Sequence, residues 1–92
     1  MRTLMAYKKP KLNQKVYIIY NDEIYYEKVE YIGEEDFLYD GIYHRYYKDY
    51  NETWATSFGE AKEILRRNYN IKKLKLEHHT SCGGKWWSIA NE

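Results

Sequence analysis

Cysteine occurs once in this sequence, proline once, and no apolar run approaches the roughly 20 residues of a membrane span. With Cys82 alone, no disulfide can form within the chain, and a reducing, cytoplasmic setting is expected. Met1 to Tyr7 lack the apolar core of a signal peptide, so neither export nor a membrane partner is expected. Catalytic motifs are missing as well. Thr80-Ser81-Cys82 has no nucleophile elbow around it, and Gly83-Gly84 lacks the Lys and Ser/Thr of a phosphate loop. The carboxylates fall mostly in one stretch, which reads as a solvated face rather than an acid/base pair. Neither an enzyme nor a cofactor is expected. The sequence also has no internal repeat and no low-complexity tract.

What the chain has is tyrosine. Twelve Tyr, three Trp and two Phe in 92 residues exceed what one small core needs, so some rings must face solvent. Tyrosine offers large contact area with few torsions to freeze, which suits a binding surface. The net charge of +1 hides a pattern. Residues 1–20 carry +5, residues 21–40 carry −7, residues 41–60 carry −1 and residues 61–92 carry +4. Such asymmetry bears on partners and association rates, not on fold.

The stretch from Trp54 to Arg67 holds the one expected helix. Ser57 and Glu60 have capping-box spacing, with the Ser57 hydroxyl accepting from Glu60 N–H and Glu60 reaching back. Phe58, Ala61, Ile64 and Leu65 form an apolar stripe, and Arg66 and Arg67 suit the negative end of the helix dipole. A helix this short needs a sheet to lie on. Residues 1–13, with Lys8-Lys9-Pro10-Lys11 at their centre, read as a flexible basic arm ahead of one domain over 14–92. Lys15–Tyr20 and Ile24–Ile32 read as a hairpin around Asn21-Asp22-Glu23. A bulge near Glu27-Lys28 would turn Ile24, Tyr26, Val29 and Tyr31 all inward. Asp36–Tyr39 reads as a third strand, and Gly41–Tyr50 as either a strand or an irregular loop. Ile71–His78 alternates like a strand, His79 to Gly84 reads as a loop, and Lys85–Ile89 as the last strand. The expected fold is α+β: a small, strongly bent antiparallel sheet or SH3-like barrel of five to six strands with one short helix packed on it.

Two surfaces compete for function. The acidic hairpin interleaves carboxylates with tyrosines, and Glu23, Tyr25, Glu27, Glu34, Glu35, Asp36 and Tyr39 are its candidate contacts for a protein with a basic surface. The alternative is single-stranded nucleic acid, tracked by Lys8, Lys9, Lys11, Arg66 and Arg67 and stacked on Tyr46 and Tyr47. His78, His79 and Cys82, with His44 from elsewhere, carry ligand chemistry for zinc. Adjacent residues of a strand diverge, however, and C-x-x-C is absent, so no metal is expected. Trp86-Trp87 puts one indole on each face of the last strand; one covers the core and the other is free for a partner, which makes a homodimer a further expectation.

From Glu30-Tyr31-Ile32-Gly33 through Asp36-Phe37 to Tyr50-x-x-Thr53-Trp54-x-Thr56-Ser57-x-x-Glu60-Ala61-Lys62, the chain resembles a family of small proteins from phages, plasmids and mobile elements of Gram-positive bacteria. The pattern covers about the middle third and marks the strand–helix scaffold, so it transfers no functional residue. It implies a setting in which small accessory proteins act by binding. Inhibitors of host defence, such as those that block CRISPR effectors or restriction enzymes, are among them.

Overall fold

The computed structural model describes residues 8–90. Strand β2 (Glu23–Ile32) is its hub. One edge of β2 pairs with β1 (Lys15–Tyr20), antiparallel, through Tyr20↔Glu23 to Lys15↔Lys28. Asn21 and Asp22, both at positive φ (52° and 65°), make the two-residue turn whose twist matches the strands it joins. The other edge of β2 is divided. Its first half pairs with β7 (Gly84–Ile89), and its second half with β3 (Asp36–Tyr39). β4 (Tyr43–Tyr46) follows β3, the two-residue β5 (Trp54–Ala55) lies on the far side of β1, and β6 (Leu76–Ser81) lies outside β7. The result is an α+β fold whose antiparallel sheet curls into a half-barrel, with one α-helix, α1 (Phe58–Tyr69), packed on it.

The curl begins at a bulge between Val29 and Tyr31, not at Glu27-Lys28. Ile24 and Val29 are fully buried, as expected of the bend, but Tyr26 is half-buried and Tyr31 is 60% exposed. The extra residue at Glu30 turns Val29 inward and leaves Tyr31 outside. Gly41–Tyr50 resolves into β4 and a single 3₁₀ turn over Tyr47–Asp49.

The central strands bury apolar side chains on both faces. Inside the curl, Val16, Ile18, Val29, Phe37, Tyr39, Tyr47 and Trp54 form one core. Trp54 is fully buried, meets Phe37 edge-on with centroids 5.0 Å apart, and donates from Nε1 to the Tyr46 carbonyl at 2.9 Å. Under the helix, Ile19, Ile24 and Ala55 meet Ala61, Ile64 and Leu65, which confirms the helical stripe. Ser57 caps the helix, accepting from Glu60 N–H at 3.2 Å. Glu60 reaches one residue further back than a capping box requires, to Thr56 N–H and Thr56 Oγ1, and also accepts from Tyr50 Oη at 2.6 Å. The helix stops where Asn70 turns left-handed (φ 53°) and its N–H bonds back to the Arg66 and Arg67 carbonyls.

Two further expectations are corrected. Ile71–Lys75 is not strand; β6 starts at Leu76 and runs through Ser81, so only Cys82-Gly83 remains as the turn. β7 ends at Ile89 opposite Leu76 and offers residues 71–75 no strand to pair with. Of the arm expected over 1–13, residues 1–7 lie outside the described residues. Beyond them Pro10 is buried, and Asn13 N–H donates to the Val29 carbonyl at 2.8 Å. Among the described residues, no helix is long and apolar enough to cross a membrane.

Candidate interaction site

Hairpin register decides which tyrosines meet. Tyr20, Ile18 and Val16 face the same way as Glu23, Tyr25 and Glu27, because each pair is directly opposed across β1 and β2. The curl then carries the end of β3 and β4 over that row. Between them lies an open cleft of about 370 Å³, with Tyr20, Tyr25 and Glu27 on one side and Tyr39, Asp40, Tyr43 and Arg45 on the other. Tyr20 and Tyr43 remain 59% and 52% exposed at its rim, an arrangement that leaves large rings available for contact.

The electrostatics of the cleft are unbalanced. Tyr25 Oη donates to Glu23 Oε1; that bond and burial push the phenol up to about 12, so Tyr25 stays protonated. Burial raises Glu27 above the ordinary carboxylate value, the Asp40 and Glu30 charges add to it, and Lys15 offsets it in part. Among the described residues, no group donates a hydrogen bond to the Glu27 carboxylate. Burial also raises the Tyr39 phenol, against the pull of Arg45, whose guanidinium sits 5.7 Å from the ring centroid. Arg45 Nη1 donates to the His44 carbonyl at 3.1 Å, while its buried Nε has no hydrogen-bond partner.

The same face continues onto the last two strands. Tyr25 stacks beside Trp86 (6.4 Å, 16°) and Trp86 beside His79 (5.2 Å, 16°), with His79 Nε2 hydrogen-bonded to Ser88 Oγ at 2.8 Å. Trp87 points the other way, against Phe58 and Tyr17, so it is the indole that covers the core beside the helix. Because β6 extends through Ser81, His78 and His79 lie on opposite faces, stacked on Trp87 and Trp86 respectively, and Cys82 is exposed in the turn. Among the described residues, no three His, Cys, Asp or Glu side chains gather as metal ligands would.

Of the acidic candidates, the structure brings Tyr25, Glu27 and Tyr39 together in the cleft, with Glu23 beside it as acceptor for the Tyr25 hydroxyl. Glu34 and Glu35 sit exposed beyond the other end of the ten-residue β2, and Asp36 faces His44 Nδ1 at 3.3 Å. Tyr20, Asp40, Tyr43 and Arg45 join the cleft without having been expected there. Tyr20 was legible from the hairpin register; the other three arrive only through the curl.

The alternative set loses one of its two rings to the core. Tyr47, expected as an exposed ring, is 3% exposed, because it belongs to the inner core and donates to the Gly33 carbonyl at 2.7 Å. Lys8 and Lys9 lie over the Tyr50 and Tyr47 rings, each 5.4 Å from the centroid. Arg66 is paired with Glu63, and Arg67 donates to the Asn51 carbonyl at 2.8 Å. Lys11 and Tyr46 are exposed.

No protein-family model, no curated protein and no solved structure matches this chain. Its function has to be read from its own side chains.

Proposed function

We propose that the protein is a small non-catalytic interaction module that binds a partner protein through the tyrosine cleft, with Glu23, Glu27 and Asp40 meeting basic side chains of that partner. The observation that carries this reading is the cleft itself. Tyrosines stand open at its rim while Glu27, raised by burial and by Asp40, has no hydrogen-bond donor of its own. A partner's lysine or arginine would relieve that carboxylate, and the rings would supply contact area and cation–π attraction. Complementary charge would also speed the encounter.

The resemblance to mobile-element accessory proteins favours a particular partner class. In this reading the protein works in the cytoplasm, its curled sheet is SH3-like, and it binds and inhibits a nucleic-acid-handling host protein such as a CRISPR effector or a restriction enzyme. The acidic face would occupy a groove otherwise used by nucleic acid. The test is capture of partners from a nuclease-treated host lysate on wild-type protein and on Glu23→Lys/Glu27→Lys. The reading expects a protein retained by the wild type and lost from the double variant, with the variant still folded by circular dichroism and cooperative in thermal unfolding. Equal retention by both contradicts it.

A further inference from the structure

The four strands β1, β2, β7 and β6 carry opposite charges on their two faces. Alternation and register sort the side chains. On the cleft face, the charged residues of these paired positions are Glu23, Glu27 and Glu77. On the face that bears the helix, they are Lys15, Lys28 and Lys85. Counts along the chain miss this separation, because Glu27 and Lys28 are neighbours in sequence and cancel.

The lysine face is built around Tyr26. Lys15 Nζ lies 5.1 Å and Lys85 Nζ 5.9 Å from its ring centroid, and Tyr17 lies beside it at 5.0 Å. Lys62, from the helix, lies 5.7 Å over Phe58, which in turn packs on Trp87. Tyr26 is half-buried and stands outside the apolar cluster that the helix covers. Lys15 and Lys28 are directly opposed across the hairpin, a like-charge pair that weakens a sheet. None of the four lysines forms an ion pair among the described residues. The fold therefore holds a cluster of like charges around a half-buried ring, with cation–π contacts and the pull of Glu27 on Lys15 as its compensation.

We infer that this face binds single-stranded nucleic acid, with phosphates on Lys15, Lys28, Lys85 and Lys62 and a base stacked on Tyr26. Charge complementarity selects a polyanion, and the flat rings between the lysines select one with unpaired bases. An anionic membrane fits less well, because among the described residues none of the exposed large apolar side chains occupies a lysine-face position where these four strands pair with one another. The site uses none of the cleft's tyrosines; the two surfaces meet where Lys15 acts on Glu27 and where Glu27 and Asp40 border the hollow lined by Lys15, Tyr26, Lys28 and Lys85.

The experiment is fluorescence anisotropy of a labelled oligothymidine of about twelve nucleotides, titrated with the full chain between about 50 and about 200 mM salt. Four phosphate contacts predict a log–log salt slope of about −3. Lys15→Gln/Lys28→Gln/Lys85→Gln should weaken binding at least about tenfold and flatten that slope. Tyr26→Ala should weaken it at least about fivefold, and Tyr26→Phe should leave it intact, which separates lost stacking from lost folding. Glu23→Lys/Glu27→Lys should not weaken it. Absence of binding at the lowest salt overturns the inference, as does binding indifferent to the three lysines. A duplex of the same length bound equally well, or phosphatidylglycerol vesicles or an acidic peptide bound in preference to the oligonucleotide, assigns the face to another partner and equally overturns it.

Discussion

Two glutamates show how differently the two sides of the sheet are finished. Glu60, at the helix start, sits where burial alone would raise its pKa; bonds from Tyr50 Oη, Thr56 N–H and Thr56 Oγ1 outweigh burial and hold the carboxyl below its ordinary value. Glu27, in the cleft, is also desolvated but receives no hydrogen bond; burial, then Asp40, hold it above that value. The first carboxylate fastens the helix, the 3₁₀ region and β5 to one another. The second is left in tension beside exposed rings. A side chain that costs stability in the free protein is the one to expect at a binding surface, since a partner can supply what the fold does not.

This contrast predicts a graded series of effects. The largest belongs to the inner core, on the face that Ile18 and Trp54 share beneath the cleft. Trp54→Ala should cost about 3–5 kcal/mol in urea unfolding, because it empties the inner core and orphans the Tyr46 carbonyl. Glu60→Ala should cost about 2 kcal/mol by the same measurement, since it leaves the Tyr50 hydroxyl and the Thr56 donors without their shared acceptor. Its contribution has a definite pH sense. The folded-state pKa is depressed, so the stabilisation is present above the unfolded value of about 4.5 and is lost as pH falls through the folded value. Ser57→Ala should cost about 1 kcal/mol through the lost cap.

The smallest effect has the opposite sign. Glu27→Gln should raise stability at neutral pH, by less than about 1 kcal/mol given its partial exposure. Here the folded-state pKa is raised, so the ionised group opposes folding, and the penalty grows as pH rises from the unfolded value of about 4.5 through the folded one. Below that window wild type and variant should melt together. A Glu27→Gln variant less stable than wild type at neutral pH would break the contrast between the two sides.

Local signals made part of this architecture legible. The run of β-branched and aromatic residues from Lys15 to Tyr20 and the Ser57–Glu60 spacing are short-range codes, and the hairpin and helix followed them. The bulge fell later than the alternation implied, because β2 pairs continuously with β1 as far as Lys28 and bends only where β3 takes over its other edge. The lysine–leucine alternation of residues 71–75 copies a strand, yet a strand needs a neighbour, and β7 is too short to provide one. The cleft was half legible. Glu23, Tyr25 and Glu27 share a face by simple alternation, whereas Asp40, Tyr43 and Arg45 reach it only when the sheet closes over. Tyr47 was misplaced for a related reason: in a chain this rich in tyrosine, composition cannot say which rings a curled sheet swallows.

The most direct test of the account is a side-chain carboxyl ¹³C NMR titration that resolves Glu27 and Glu60 in one sample. The account predicts Glu27 titrating above the ordinary glutamate value of about 4.5 and Glu60 below it. It further predicts that Glu27 shifts downward once the cleft is occupied by its basic partner, while Glu60 does not move. Coincident titrations of the two groups, or Glu60 above Glu27, would contradict it.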